Sequence, residues 1–154
     1  TRGTSDLEFL RRAMDTMDRE LATAWENRSD DAPIETPYEL LILASIIEKE
    51  TSLEEERARI AGVFVRRLRK GMKLQTDPTV IYGLGESFDG DIRRRDLRTD
   101  TPYNTYTRHG LPPTPIAKRL ISAAPQQGDG ARHHEAVAAG RGQQRRQPVA
   151  LVVA

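Results

Sequence analysis

The segment from Thr36 to Glu50 constrains the fold of this chain more than any other, because it predicts a strongly apolar helix. Its start is well marked, since Thr36 suits the N-cap position, Pro37 the first helical position and Glu39 the third. An apolar run of this kind has to turn its stripe toward a core. The sequence therefore predicts a core-facing helix over residues 36–50.

Glu50 has an unusual place on that helix. At about 100° per residue, Glu50 falls between Ile46 and Ile47 on the helical wheel. It also lies over Leu43, whereas Glu48 lies well round the helix. A carboxylate on a core-facing stripe either finds a partner or has a raised pKa, and a carboxylic acid protonated near neutrality suits general acid catalysis. Glu50 is therefore the lead catalytic candidate; the alternative is that it ends the helix and turns to solvent.

The composition excludes several classes of protein and site. A chain of 154 residues has the size of one domain, and its net charge of +1 does not favour nucleic acid as a partner. The absence of cysteine excludes disulfides and thiolate metal sites. No apolar run approaches the ~18 residues of a transmembrane helix. The N-terminus has no signal-peptide pattern, and a start with Thr rather than Met suggests a fragment.

Two further helices are predicted, over residues 6–26 and 53–70. The first has apolar residues spaced three and four apart, which is typical of an amphipathic packing helix. The second opens with a capping box formed by Ser52 and Glu55 and ends at Gly71. Its last turn is basic, which favours a complement to the helix dipole over a nucleic-acid patch.

The chain beyond residue 71 is less regular. Alternation and a short apolar run predict short strands or extended segments over 72–82, and an Asp-Gly pair predicts a hairpin-type turn within 88–91. One helical turn is predicted over 93–97. The polar and aromatic segments 101–106 and 110–113 read as loops, and loops of this composition commonly line sites.

Four ordered segments carry a resemblance to a known family. They are ASIIEKET at 44–51, FVRRLRKGMKLQTDPTVIYG at 64–83, YNTY at 103–106 and GLPP at 110–113. In order and spacing they closely resemble the MltG-type (YceG-like) endolytic murein transglycosylases. The resemblance covers about residues 5–117 and implies an α+β, mainly helical, lysozyme-like domain that is incomplete at its C-terminus. The membrane anchor and LysM-like portion expected of the family are absent from this chain.

The resemblance also implies the site residues. Lytic transglycosylases share a Glu-Ser, a Leu/Met-Gln and a Tyr-Asn motif in that order, and Glu50-Thr51 resembles the first of them. This match implies that Glu50, rather than Glu48, is the catalytic acid, in agreement with the helical wheel. The implied substrate-binding residues are Gln75, Tyr103 and Asn104 by hydrogen bonding, with Tyr82 or Tyr106 as stacking surfaces.

The implied activity is cleavage of peptidoglycan glycan strands between N-acetylmuramic acid and N-acetylglucosamine, leaving anhydromuramic ends. One glutamate would serve as acid and then as base, with no metal or other cofactor. The implied partners are the glycan strands and cell-wall synthases, with no nucleic acid. The implied location is the bacterial cell envelope, at the periplasmic or outer face of the inner membrane. The alternative function is an inactive remnant that at most binds glycan.

The resemblance ends at Ala117, and residues 118–154 differ in composition from the rest. Of the 24 basic and 23 acidic residues, 18 and 21 lie in residues 1–117, which leaves a net charge of +4 for the tail. This basic, low-complexity tail is predicted to be poorly ordered. A reading-frame shift near codon 118 is our hypothesis for its origin, with natural divergence as the alternative. His133 and His134 lack further ligands at metal-binding spacing, so no metal site is predicted.

Overall fold

The computed structural model describes residues 6–117, which are mainly helical and contain no strand. The mainly helical prediction is confirmed, whereas the strands expected of an α+β domain are not found in this part of the chain. No helix within residues 6–117 is long and apolar enough to cross a membrane. The predictions for the basic tail lie outside the described residues. The helices are α1 (Asp6–Glu26), α2 (Pro37–Glu50), α3 (Glu54–Arg69), α4 (Asp77–Leu84) and α5 (Arg94–Arg98), with a 3-10 turn at Gly85–Ser87.

Helix α2 lies at the centre and contacts α1, α3 and α4. Leu43 and Ile46 are fully buried, and Ile47 is 1% exposed. The start of α2 has the predicted capping box: the Glu39 N–H donates to Thr36 Oγ1 over 3.2 Å, and Glu39 Oε2 accepts from the Thr36 N–H over 3.3 Å. The predicted core helix is therefore confirmed, together with its cap.

The predicted bounds of helix α3 are confirmed, but its N-terminal capping differs from the prediction. Its N-cap residue is Leu53, and no side chain caps it, so the predicted box of Ser52 and Glu55 was wrong. Thr51 occupies the turn instead, accepting from the Leu53 N–H over 3.0 Å and donating to Glu56 Oε2 over 2.8 Å. The reason is orientation: the hydroxyl of Thr51 faces inward between α2 and α3, whereas Ser52 is exposed.

The C-terminal end of α3 has the predicted glycine stop. Gly71 has a φ of 62°, in the left-handed region that glycine adopts without a steric penalty. Its N–H donates to Leu68 O over 3.0 Å, and the Met72 N–H donates to Arg67 O over 2.8 Å. These two bonds satisfy the last carbonyl groups of the helix.

The predicted strands over 72–82 are not formed. Residues 72–76 are irregular, and α4 follows them directly. Pro78 lacks an N–H and therefore fits the first turn of a helix, where no partner for that group exists. Thr79 and Val80 are buried in the next turn. The apolar run was too short to reveal a helix by its period.

The hairpin predicted within 88–91 is also wrong, because no strand flanks the Asp-Gly pair. The Asp89 carboxylate instead pairs with the Arg93 guanidinium at the start of α5. The N–H of Arg93 also donates to Asp96 Oδ2 over 2.8 Å. The helical turn predicted over 93–97 is confirmed as α5.

Helix α1 confirms the prediction for residues 6–26, but only its C-terminal half packs. Leu21 and Trp25 are partly buried against the core. Leu10 and Met14 are exposed, at 43% and 60%. The apolar stripe of α1 is thus only half covered by the residues that the structure describes.

Ser45 ties the last described residues to α2. Its side chain is 1% exposed, and its hydroxyl donates to Ile42 O over 2.7 Å. The same oxygen accepts from the buried N–H of Ile116 over 2.9 Å. The Ser45 hydroxyl therefore provides the acceptor for a buried backbone N–H that lies 71 positions away in the sequence.

We predict that Ser45→Ala lowers the free energy of unfolding by about 1–3 kcal/mol, because it leaves the buried Ile116 N–H without an acceptor. Ser52→Ala is the matched control and should change it by less than about 0.5 kcal/mol, since Ser52 is exposed and caps nothing. Urea unfolding followed by circular dichroism measures both values. Equal losses in the two variants would contradict this account of Ser45.

Candidate active site

Glu50 lies at the exposed C-terminal end of α2. Of the two alternatives drawn from the sequence, the structure has the one facing solvent, so the core-facing placement was wrong. Burial stops at Ile47, because the helix leaves the core there and its last three residues, Glu48, Lys49 and Glu50, are all exposed. The Glu50 carboxylate nevertheless has a partner, since Thr76 Oγ1 donates to its Oε2 over 2.7 Å.

The segment that carries Thr76 is held in an unusual backbone conformation. Leu74 and Thr76 are buried, whereas Gln75 between them is exposed and has a φ of 52°. Among residues 6–117, Gln75 is the only residue other than glycine with a positive φ. The Arg67 guanidinium donates to Leu74 O, and the Gln75 N–H donates to Thr105 O over 3.2 Å. These bonds hold the Gln75 side chain outward beside the partner of Glu50.

Thr76, Thr79 and Thr105 form a buried threonine cluster, with exposures of 2%, 0% and 2%. The Thr76 N–H donates to Thr105 Oγ1 over 3.1 Å. The Thr79 hydroxyl donates to Thr76 O over 2.7 Å and lies 2.8 Å from the Thr105 hydroxyl. The threonine cluster therefore joins α4 to the loop that contains Thr105 and fixes the backbone of Thr76 from both sides.

Tyr106 adds an aromatic ring to this group. Its hydroxyl donates to Asp77 Oδ1 over 2.5 Å. Burial raises the pKa of Tyr106 to about 12, helped by the hydrogen bond to Asp77 and by the negative charges of Asp77 and Glu50. The phenol therefore stays protonated over the range in which a cell grows. Asp77, which accepts from Tyr106, directly follows Thr76, which donates to Glu50.

Tyr82 and Tyr103 pack together at the base of the loop. Their ring centroids are 4.8 Å apart and their planes are tilted by 60°, which is within the range of geometries that aromatic pairs prefer. The Tyr103 hydroxyl lies 2.9 Å from Thr114 Oγ1, and both rings are half-buried against the core. Much of each ring is thus in contact with the protein.

Asn104 is 1% exposed, and its amide is bound to backbone groups. Its Oδ1 accepts from the Tyr106 N–H over 2.9 Å. Both of its N–H groups are used, because its Nδ2 donates to Thr99 O over 2.7 Å, to Asp96 O over 3.0 Å and to Leu97 O over 3.2 Å. Asn104 therefore connects the end of α5 to the backbone of Tyr106.

An ion pair closes the same loop. Asp100 accepts from Arg108 Nε over 2.7 Å and from Nη2 over 2.9 Å, and also from Thr107 Oγ1 over 2.9 Å. These hydrogen bonds, those of Arg108 first, lower the pKa of Asp100 to about 2. The Asp100 carboxylate is therefore ionised at neutral pH and paired with Arg108.

Sequence reasoning named Glu50, Gln75 and Tyr106 as candidates, but it did not name Thr76 and Asp77, which bond to Glu50 and Tyr106. Neither threonine nor a single exposed aspartate stands out in a sequence, and the bond from Thr76 to Glu50 spans 26 positions. The one available signal was that Thr76 precedes an Asp-Pro pair at a helix start.

A separate apolar groove of about 300 Å³ lies between α1 and α2. Its lining includes Glu48 and the Arg57 side chain of α3, but not Glu50. Residues two positions apart on a helix point in directions that differ by about 200°, so Glu48 and Glu50 lie on different surfaces. Substitutions at these two residues can therefore distinguish the groove from the site around Glu50.

Residues 1–124 match the model of the YceG-like family. The chain belongs to the YceG-like family. A crystal structure at 2.6 Å of a YceG-like protein from Listeria monocytogenes is similar to this chain with a TM-score of 0.52 and 39% identity. The match covers 74% of this YceG-like chain and 36% of that protein.

Two relatives carry a more specific name. An endolytic murein transglycosylase of Bacillus subtilis is 48% identical over 86 residues, which are 56% of this YceG-like chain and 24% of that protein. An endolytic murein transglycosylase of Streptococcus pneumoniae is 40% identical over 92 residues, which are 57% of this chain and 17% of that protein. The chain therefore matches a quarter or less of the length of these relatives.

We predict that Asp77→Asn lowers the pKa of Tyr106 from about 12 toward the ordinary value of 10, because the charge and the stronger acceptor are lost while burial remains. Phenolate absorbance during a pH titration, with Tyr106→Phe subtracted, measures this pKa. Because folding raises it, the corresponding stability is present below pH 10 and is lost as the pH rises through about 12.

The matched control is Asp31→Asn, which removes a carboxylate paired with Arg69 rather than bound to a tyrosine. It should leave the titration of Tyr106 unchanged. A wild-type Tyr106 that titrates near 10 would contradict the geometry described above.

Proposed function

We propose that this chain is a catalytic part of an endolytic murein transglycosylase, which cleaves peptidoglycan glycan strands and leaves anhydromuramic ends. The observation that carries the proposal is the Glu50 carboxylate, exposed at the end of a buried helix with one oxygen held by Thr76 at 2.7 Å. A carboxyl group in this setting is open to a polymeric substrate and is oriented by the protein. Family membership and the names of the two relatives support the same activity.

In the proposed reaction Glu50 first acts as an acid. Its proton passes to the glycosidic oxygen between N-acetylmuramic acid and N-acetylglucosamine, and the bond from the anomeric carbon breaks with its electron pair on that oxygen. The C6 hydroxyl of the muramic residue then bonds to the anomeric carbon, and its proton returns to Glu50. One carboxyl group serves as acid and then as base, unlike the paired carboxylates of most glycosidases. The substrate's acetamido group stabilises the charge that a second carboxylate would otherwise meet.

The substrate-binding residues implied by the resemblance divide into two groups. The exposed amide of Gln75 and the half-buried ring of Tyr106 are suited to direct contact with sugar, by hydrogen bonding and by stacking. Tyr82, Tyr103 and Asn104 are better suited to hold these groups in place, because their rings and amide are engaged within the protein. We therefore assign substrate contact to Gln75 and Tyr106. The other three residues are assigned to maintaining the shape of the site.

The proposal extends to the setting of the reaction. A lysozyme-like architecture over residues 5–117 would leave the end of α2 and the start of α4 open to a long glycan strand. Because the substrate is peptidoglycan, the site would work in the bacterial cell envelope, at the periplasmic or outer face of the inner membrane. Cell-wall synthases, which make the same strands, are the proposed partners.

Glu50→Gln keeps the shape of the side chain but removes the titrating proton. General acid–base catalysis contributes typically about 10²–10⁴-fold, so the release of anhydromuramic ends should fall by at least about 100-fold. The melting temperature should change little, because Glu50 is exposed. Mass spectrometry of digested peptidoglycan measures the product.

Glu48→Gln is the matched control, since Glu48 lines the apolar groove and faces away from Thr76. It should keep nearly full activity. Greater loss from Glu48→Gln than from Glu50→Gln would move the site to the groove. A wild-type chain that binds glycan strands without producing anhydromuramic ends would favour the alternative function, an inactive remnant that at most binds glycan.

Gln75→Gly tests a substrate contact, because glycine tolerates the positive φ and only the side chain is lost. Loss of one hydrogen bond should raise KM by roughly 3–10-fold with little change in melting temperature. Asn104→Ala should instead lower the melting temperature, because the buried Asn104 amide bonds to four backbone groups. Thermal unfolding and initial rates together separate these results, and an unchanged KM in Gln75→Gly would exclude Gln75 from substrate binding.

A further inference from the structure

We propose that Thr76 decides which oxygen of Glu50 carries the catalytic proton. Thr76 Oγ1 donates to Glu50 Oε2 over 2.7 Å, which leaves Oε1 for the glycosidic oxygen. The proposal rests on the proposed function and assigns it a positioning residue. Thr76 itself has no contact with the reacting atoms in this scheme.

The first argument is that the Thr76 side chain does not make the hydrogen bond expected of an N-cap residue. Thr76 is the N-cap residue of α4, and a threonine there ordinarily accepts from the N–H of the second or third helical residue. Its side chain makes no such bond, whereas Thr36 at the start of α2 does. The Thr76 hydroxyl is directed to Glu50 instead. Departures from a local rule of this kind are expected at functional sites.

The second argument is rigidity. Thr76 is 2% exposed, and its backbone is bonded on both sides by Thr105 and Thr79. The hydroxyl therefore has a fixed position before substrate arrives, which is the condition for an oriented catalytic group. Thr51, the neighbour of Glu50 in the chain, cannot replace it because its hydroxyl donates to Glu56.

The third argument concerns the proton itself. While the Thr76 hydroxyl donates to Oε2, that oxygen acts as an acceptor, and the acidic proton belongs on Oε1. That proton passes to the glycosidic oxygen as the bond to the anomeric carbon breaks. The proton of the C6 hydroxyl later returns to Oε1 as the new bond to the anomeric carbon forms. The same oxygen serves both steps, so the carboxyl group does not rotate between them, and Thr76 keeps its own proton throughout.

Thr76→Val tests this role, because valine keeps the shape and removes only the hydroxyl. A misplaced catalytic group costs up to about 100-fold, so kcat should fall by about 10–100-fold while KM stays within about 2-fold. The melting temperature should be unchanged or higher, since a buried hydroxyl is removed. Thr76→Ser restores the donor and should return kcat to within about 3-fold of the wild-type value. Initial rates of anhydromuramic end formation on glycan strands, per folded protein, give both constants.

Thr36→Val is the matched control, because it removes a threonine hydroxyl that does cap its helix. It should lower the melting temperature by about 4–8 °C and leave kcat unchanged. Wild-type kcat in Thr76→Val alongside an inactive Glu50→Gln overturns the role of Thr76 and leaves the proposed function intact. An equal loss in Thr76→Ser and Thr76→Val overturns it too, since packing would then explain both. Full activity in Glu50→Gln, or none in the wild type, overturns the proposed function and this proposal together.

Discussion

The burial of α2 is the constraint on which the rest of this structure depends. Leu43 and Ile46 have no exposed surface, and α1, α3 and α4 each pack against the helix. Each fully buried side chain of this size contributes about 1.5–3 kcal/mol by leaving water. Leu74 and Ile116, from segments on either side of α4, complete the same core. Because α2 cannot shift without opening this core, the position of its last turn is fixed.

The site lies where that burial stops. Within one helical turn the chain passes from Ile47, which is 1% exposed, to the open carboxylate of Glu50. In the proposed function, the end of a buried helix carries the Glu50 carboxyl group, and the buried Thr76 orients it. The loop around Tyr106 is stabilised separately, by the Asn104 amide and by the ionised Asp100. In this proposal the Glu50 carboxyl group is open to a long polymer, while the residues that hold it in place are buried.

The sequence revealed this architecture where local chemistry decides it. The cap at Thr36 and the periodic apolar residues were enough to predict the bounds of three helices. Glu50 was named as the candidate acid from a helical wheel that placed it toward the core, whereas the structure has the alternative, a turn to solvent at the helix end. Helix α4, which begins at Asp77, was missed because its apolar run is too short to show a period. The contacts of Thr76 with Thr105 could not be predicted, since hydroxyl bonds between segments 29 positions apart leave no pattern in a sequence.

Gly83 shows how narrow the clearance between α4 and the neighbouring loop is. A Cβ atom at this position would lie 3.1 Å from Thr101 Oγ1 and 3.2 Å from Tyr103 Cβ, both closer than ordinary van der Waals contact. A side chain here would require Thr101 or Tyr103 to move by a few tenths of an ångström. The close approach of α4 to this loop thus depends on a residue that has no side chain.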